Sequence, residues 1–250
     1  MPKVGVIGGS ALDAIANLEI SHREMVNTPY GATSSPLLFG AMDGGELVFI
    51  HRHGFGHTIA PHQINYRANI WALRELDVTH IVATAAVGGI TETMSPMTLV
   101  IPDQIIDYTH TRSQTFYENS QEPVVHVDFT WPYDEELRSA LSESAVNLQL
   151  PFVSRGTYGA VQGPRLETAA EIRRLESDGC DIVGMTAMPE AVLARELDIK
   201  YACSAVVVNW AAGKGSQQEV LTESISANIA DGKAKLHRLL AEALPKILEL

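Results

Sequence analysis

The chain is 250 residues long, 46% hydrophobic, and carries a formal charge of −12 at pH 7. That length can bury a sizeable core, and the negative balance excludes nucleic acid as a partner, because binding it takes a basic face that displaces counterions. Two cysteines, Cys180 and Cys203, exclude a disulfide framework and read as reduced, packed thiols, while no apolar run reaches membrane-spanning length or fits a signal peptide, so a cytoplasmic protein with no membrane partner is expected.

Residues 4–7 read as the first strand, running into Gly8-Gly9-Ser10. The stretch lacks the G-x-G-x-x-G spacing of a dinucleotide site. A Gly-Gly-Ser turn instead offers backbone N–H groups and the Ser10 hydroxyl to a single phosphate. Residues 47–51 form the next expected strand and open into HRHGFGHTIAPHQINYR, residues 51–67. His51 and His53 share a face, but no metal-ligand spacing accompanies them, and the neighbouring arginines disfavour a cation. Arg52 presents a planar fork of donors, and with His53 it suits an oxyanion. His51, His57 and His62 read as side chains that only satisfy backbone groups.

Further along, a helix is expected over 64–76, strands over 81–85 and 99–101, a helix over 135–147 and a strand over 156–161. QGPRLETAAE, residues 162–171, then carries a loop into a helix over 167–177. Glu167 falls at its start, where a carboxylate complements the helix dipole, and on local pattern that role outweighs a site role. A strand over 182–184 leads to Met185-Thr186, a helix covers 189–197, a strand over 201–208 leads to Asn209-Trp210-Ala211, and a last helix covers 222–250. Asn209 fits a turn cap as well as a site. This alternation is that of an α/β protein: one domain, residues 1–250, with a mixed central β-sheet flanked by helices. Five strand ends pass from small to polar residues, after Ile7, His51, Ala85, Gly184 and Val208. Ligands in open α/β sheets bind outside the carboxyl ends of the strands, so the five are expected to build one site.

The segments VGVIGGS, HRHGFGHTIAPHQINYRANIWAL, PDQIIDYTHTRSQTFY, QGPRLETAAEIR and DIVGMTAMPEAVLARELDIKYA follow one another in order along the chain. Together they resemble the trimeric purine nucleoside phosphorylase and methylthioadenosine phosphorylase family almost end to end. The resemblance implies a nucleoside phosphorylase-like fold, a homotrimer, and attack of inorganic phosphate on C1′ of a nucleoside with release of the purine. Phosphate is then a co-substrate, and no metal or organic cofactor is implied. It assigns phosphate binding to Ser10, Arg52, His53, Ala85, Ala86 and Thr186, with the difference that the methylthioadenosine branch carries a threonine at the position of Ala85. It assigns catalysis to Arg52, His53 and Asn209, the last at purine N7, and packs Met185 against the ribose.

At the base end the methylthioadenosine branch places an aspartate where Asn209 stands and a second one two residues on. Here the segment is Asn209-Trp210-Ala211, and Glu167 replaces a small residue. Glu167 with Asn209 is similar to the pair of the 6-oxopurine class. Asn donates to O6 and accepts from N7–H, and an ionised Glu accepts from N1–H, whereas adenine would leave both mismatched. At the sugar end, the histidine with which that class bonds a 5′-hydroxyl is missing between Asn209 and His237. Val220, Leu221, Thr222 and Ile225 supply an apolar wall that favours a 5′-methylthio group, and His126 resembles a residue inserted from a neighbouring subunit. The expectation is phosphorolysis of a 5′-methylthio 6-oxopurine nucleoside to hypoxanthine and 5-methylthioribose 1-phosphate. General inosine and guanosine phosphorolysis, methylthioadenosine phosphorolysis, and a non-catalytic nucleoside-binding module are the alternatives.

Overall fold

A computed structural model describes residues 2–9, 18–118, 124–215 and 222–250, the side chains of 222–227 excepted. The first part of the chain is β1 (Lys3–Gly8), β2 (Glu19–Glu24), β3 (Asn27–Thr28), β4 (Gly31–Ala32), β5 (Leu37–Met42), β6 (Gly45–His51) and α1 (Tyr66–Glu75). Then come β7 (Val78–Gly89), β8 (Leu99–Val100), β9 (Gln104–Asp107), α2 (Glu135–Asn147), β10 (Phe152–Val153), β11 (Thr157–Ala160) and α3 (Ala169–Ser177). The chain finishes with β12 (Ile182–Gly184), α4 (Ala187–Glu196), β13 (Lys200–Trp210) and α5 (Thr222–Ile247). The class is the expected one, α/β with a mixed sheet and helices on both faces.

The central path of the sheet runs β10-β8-β13-β7-β1-β6-β5-β2. β13, β7, β1 and β6 are mutually parallel. They are also the strands with continuous apolar runs, as burial on both faces demands. Alternation sorts their side chains: Val4, Val6, Leu47, Phe49 and Val82 face α2 and α5, together with Leu137, Leu141, Leu239 and Leu244. Ile7, Val48, Ile50, Ile81 and Ala83 face α1 and α4, with Ile70, Leu73, Ala191 and Leu193. Asn65 caps α1 by accepting from the Ala68 N–H, and Asp134 caps α2 by accepting from the Leu137 N–H. Both cysteines are free and buried. No described helix is long and apolar enough to cross a membrane.

The sheet also forks. β1 pairs with β7 only as far as Ala83, whereas β7 continues to Gly89 along β13. At Gly88 and Gly89 a different strand, β12, takes over antiparallel on the side that β1 has left. β11 and β9 extend that branch in parallel.

Candidate active site

Between the two partners of β7 the fork opens into a cavity of about 730 Å³. Ala86 is exposed there, although it lies in the middle of a central strand. Gly9 after β1, Arg52 and His53 after β6, residues 84–88 of β7, residues 183–186 at the end of β12, and Asn209 of β13 all line the cavity. These are the five strand ends, brought together by the parallel sheet and its branch. Arg52 occupies the Thr84 carbonyl at 3.1 Å. Strand alternation turns the backbone of Thr84 and Ala86 to the same side, so the Ala86 N–H also faces the fork.

Arg52 is 2% exposed, and it does not present its fork to the cavity. Its Nε and Nη2 donate to the two carboxylate oxygens of Glu190 at 2.6 and 2.7 Å. Glu190 has no exposed surface and also accepts from the Tyr201 hydroxyl at 2.9 Å. Burial opposes the Arg52 charge, but the facing carboxylate more than offsets it and holds the guanidinium protonated. Nη1 already gives one N–H to the Thr84 carbonyl, so what remains for an anion is its second N–H, and any phosphate contact by Arg52 is single-pronged. The sequence pattern identified the arginine but gave no sign of Glu190, which lies 138 positions away.

His53 donates from Nδ1 to the Ile59 carbonyl at 2.9 Å, which fixes the tautomer and leaves Nε2 as the acceptor in the neutral ring. Burial and the adjacent Arg52 push it down to about 4, so it is neutral near pH 7. Its ring stacks on His57 with centroids 4.2 Å apart. His57 is likewise pushed down, by burial and then by Lys233.

Pro164, Leu166, Glu167, Met185 and Asn209 line the same cavity. Glu167 does not cap α3. Thr168 accepts from the Glu171 N–H while the Glu171 carboxylate accepts from the Thr168 N–H, a complete capping box one residue further on. Glu167 is thereby released to the cavity, where burial raises its carboxyl above the usual range. Asn209 donates from Nδ2 to the Trp210 carbonyl at 2.7 Å. An amide NH₂ has a second N–H, and its oxygen is an acceptor. Thr186 stands at the N-cap of α4 without using its side chain as a cap, and it lines the cavity.

Ser10, Val220 and Leu221 fall outside the described residues, as do the side chains of Thr222 and Ile225. Trp210 and Ala211 do not line the cavity: Ala211 is packed with Ile90, Ile172 and Val183 in a separate core cluster, and the Trp210 ring lies against Gly215. His126 is exposed, away from the cavity. Conversely, His57, Ile229, Lys233, Leu236, His237 and Leu240 line it unanticipated. On α5 they recur at helical spacing, a stripe that reads in sequence as core. His237 restores an imidazole to a cavity from which the order of residues after Asn209 had removed one. Among the described residues no three metal-ligating side chains cluster.

A family model described as the phosphorylase superfamily matches residues 3–245. The chain belongs to the phosphorylase superfamily. Within that superfamily it is 47% identical over 244 residues to a probable S-methyl-5′-thioinosine phosphorylase of Pseudomonas syringae, covering 98% of this chain and 99% of the relative. It is equally 47% identical, over 253 residues, to a 6-oxopurine nucleoside phosphorylase of Pyrococcus furiosus, covering 99% and 94%. Among solved structures, methylthioadenosine phosphorylase from Schistosoma mansoni in complex with adenine superposes with a TM-score of 0.93 at 32% identity, over 99% of this chain and 92% of that one.

Proposed function

We propose that this phosphorylase cleaves S-methyl-5′-thioinosine with inorganic phosphate, giving hypoxanthine and 5-methylthioribose 1-phosphate. The observation that carries the base assignment is the presence of Glu167, released from capping, in one cavity with Asn209. An ionised Glu167 accepts from N1–H, and Asn209 gives its second N–H to O6 while its oxygen accepts from N7–H. Phosphate would lie against Arg52 Nη1, His53, Thr186 and the Ala86 N–H. There its oxygen forms the new bond to C1′ as the bond from C1′ to N9 breaks, and the electron pair leaves on the purine, which takes a proton from solvent at N7, the N–H that the Asn209 oxygen then accepts. Positioning and fixed dipoles supply the rate enhancement. With His53 neutral, a proton between its Nε2 and a phosphate oxygen makes that contact attractive. No metal or organic cofactor enters this scheme, and the charge balance of the chain leaves no role for nucleic acid.

A homotrimer fits the same reading. Val124 and Val125, next to His126 in sequence, and Trp131, further along the same segment, are exposed apolar side chains that a second copy could cover, so that His126 would complete a neighbour's 5′ pocket. Lys233 and His237 on the cavity wall favour one second reading, an ordinary 6-oxopurine nucleoside with a 5′-hydroxyl. Base release measured from methylthioinosine, inosine and methylthioadenosine, each with and without phosphate, separates these. Phosphate-dependent release with methylthioinosine cleaved best is expected. A preference for inosine would establish the second reading, a preference for methylthioadenosine would overturn the roles of Glu167 and Asn209, and no release at all would leave a binding module.

A further inference from the structure

Arg112 lies in the segment after β9, is 9% exposed, and has hydrogen-bond acceptors on three separate parts of the chain. Its Nε donates to the Gln162 side-chain oxygen at 3.2 Å, and its Nη2 donates to the Val161 and Gln162 carbonyls at 3.2 and 2.8 Å. Its Nη1 donates to the Met185 and Met188 carbonyls at 2.9 and 2.5 Å and to the Tyr66 hydroxyl at 3.2 Å. The guanidinium carbon also sits 5.4 Å from the centre of the Tyr66 ring. Every acceptor is an uncharged oxygen of the protein, so no N–H is left for substrate.

The segments so joined are the walls of the cavity. Residues 161–162 begin the loop that delivers Glu167, and residues 185–188 carry Met185 and Thr186. The Tyr66 hydroxyl itself donates to the Pro61 carbonyl at 3.0 Å, and Pro61 is a third part of the lining. Gly163, at a φ of 63°, packs directly on the Met185 side chain with no space for a Cβ. A buried guanidinium without a carboxylate partner is costly to keep. Few other side chains have enough donors in one plane to hold three carbonyl-bearing segments in register.

We propose that Arg112 is a positioning residue that fixes the base-reading loop of Glu167 relative to the strand end carrying Met185 and Thr186. It acts through the placement of those groups and touches no reacting atom. The inference rests on the phosphorolysis reading given above. A ribose held by Met185 and a base held by Glu167 must keep a fixed separation for C1′ to meet phosphate, and misplacement on the scale of 1 Å costs roughly 10²-fold in rate.

The test is a double-mutant cycle on Arg112→Lys and Glu167→Gln, with kcat and KM for methylthioinosine measured well below the melting temperature of each variant. Arg112→Lys keeps the charge and loses the planar donor set. It is expected to lower kcat/KM by about 10²-fold, mostly in kcat, and Glu167→Gln should then add far less than it costs in the wild type. A purely architectural arginine gives the opposite pattern: a lower melting temperature, near-normal kcat, and an undiminished cost of Glu167→Gln. That result overturns the proposal. If Arg112→Lys does not fold, Tyr66→Phe removes one acceptor while keeping the ring, and the same cycle should show the same coupling at smaller amplitude; strict additivity there overturns the proposal as well. A wild type that releases no base from any nucleoside would sink the function reading itself, and this inference with it.

Discussion

Glu167 is held in the cavity at a cost to folding, because burial raises its carboxyl above the ordinary carboxylate range. The unfolded chain therefore ionises this group at lower pH than the folded one does. Stability is lost as pH rises from the ordinary carboxylate pKa through the raised one, and at neutral pH the full penalty is present. Glu167→Gln should accordingly raise the melting temperature at neutral pH, with the gain vanishing in acid below the carboxylate range, while kcat/KM for a 6-oxopurine nucleoside falls at neutral pH. Thermal melts across that range and steady-state kinetics check both, and a variant no more stable than wild type at neutral pH would show that the carboxylate is not desolvated. Arg52 behaves differently. Removing it would strand the buried Glu190 carboxylate, and breaking such a pair costs about 3–5 kcal/mol, so loss of activity in Arg52→Ala cannot be separated from loss of fold. Residue types at strand ends were legible in the sequence, but what each is bonded to was not. Glu190, Tyr201 and Arg112 reach the site from positions far along the chain, with no local pattern to mark them.

At the scale of elements, the hydrophobic runs and helical spacing locate β1, β6, β7, β13 and α1 to α5 within a few residues at most ends. They miss β2 because its sequence, EISHRE, is polar and largely exposed at an edge of the sheet, pairing only with β5 among the described residues. They also miss β3, β4, β5 and β10, and β9, whose four residues pair only with β11 among the described residues. The start of α3 is where the sequence reading and the structure part most usefully. Both Glu167 and Glu171 stand where a helix dipole accepts a carboxylate, and only the placement of Thr168 decides that Glu171 does the capping. Thr168→Ala should destabilise the protein by about 1 kcal/mol through the lost cap. It should also raise KM for the nucleoside, because the turn that presents Glu167 loses its anchor. Melting curves and nucleoside saturation kinetics measure the two effects. An unchanged KM with the expected loss of stability would mean that the loop holds Glu167 without help from the helix.

For the molecule as a whole, the proposed trimer makes the site a property of the assembly. His126 is exposed in the same segment of chain as Val124 and Trp131, which are 78% and 64% exposed. His126→Ala should weaken saturation by the 5′-methylthio substrate without lowering the melting temperature, and specific activity should fall on dilution as subunits separate. Sedimentation and activity measured over one dilution series test this, and a fully active monomer would remove the neighbour from the pocket. The fork in the sheet bears on how any of these stabilities is read. Between Ala83 and Gly88 one side of β7 has no strand beside it among the described residues, and the proposed phosphate would accept there from the Ala86 N–H. A ligand that binds only the folded chain adds RT ln(1 + [L]/Kd) to its stability. The proposed ligand is also a common laboratory buffer, so a melt recorded in phosphate reports the protein already loaded with substrate, and the intrinsic strength of the open sheet is measured only where phosphate is left out.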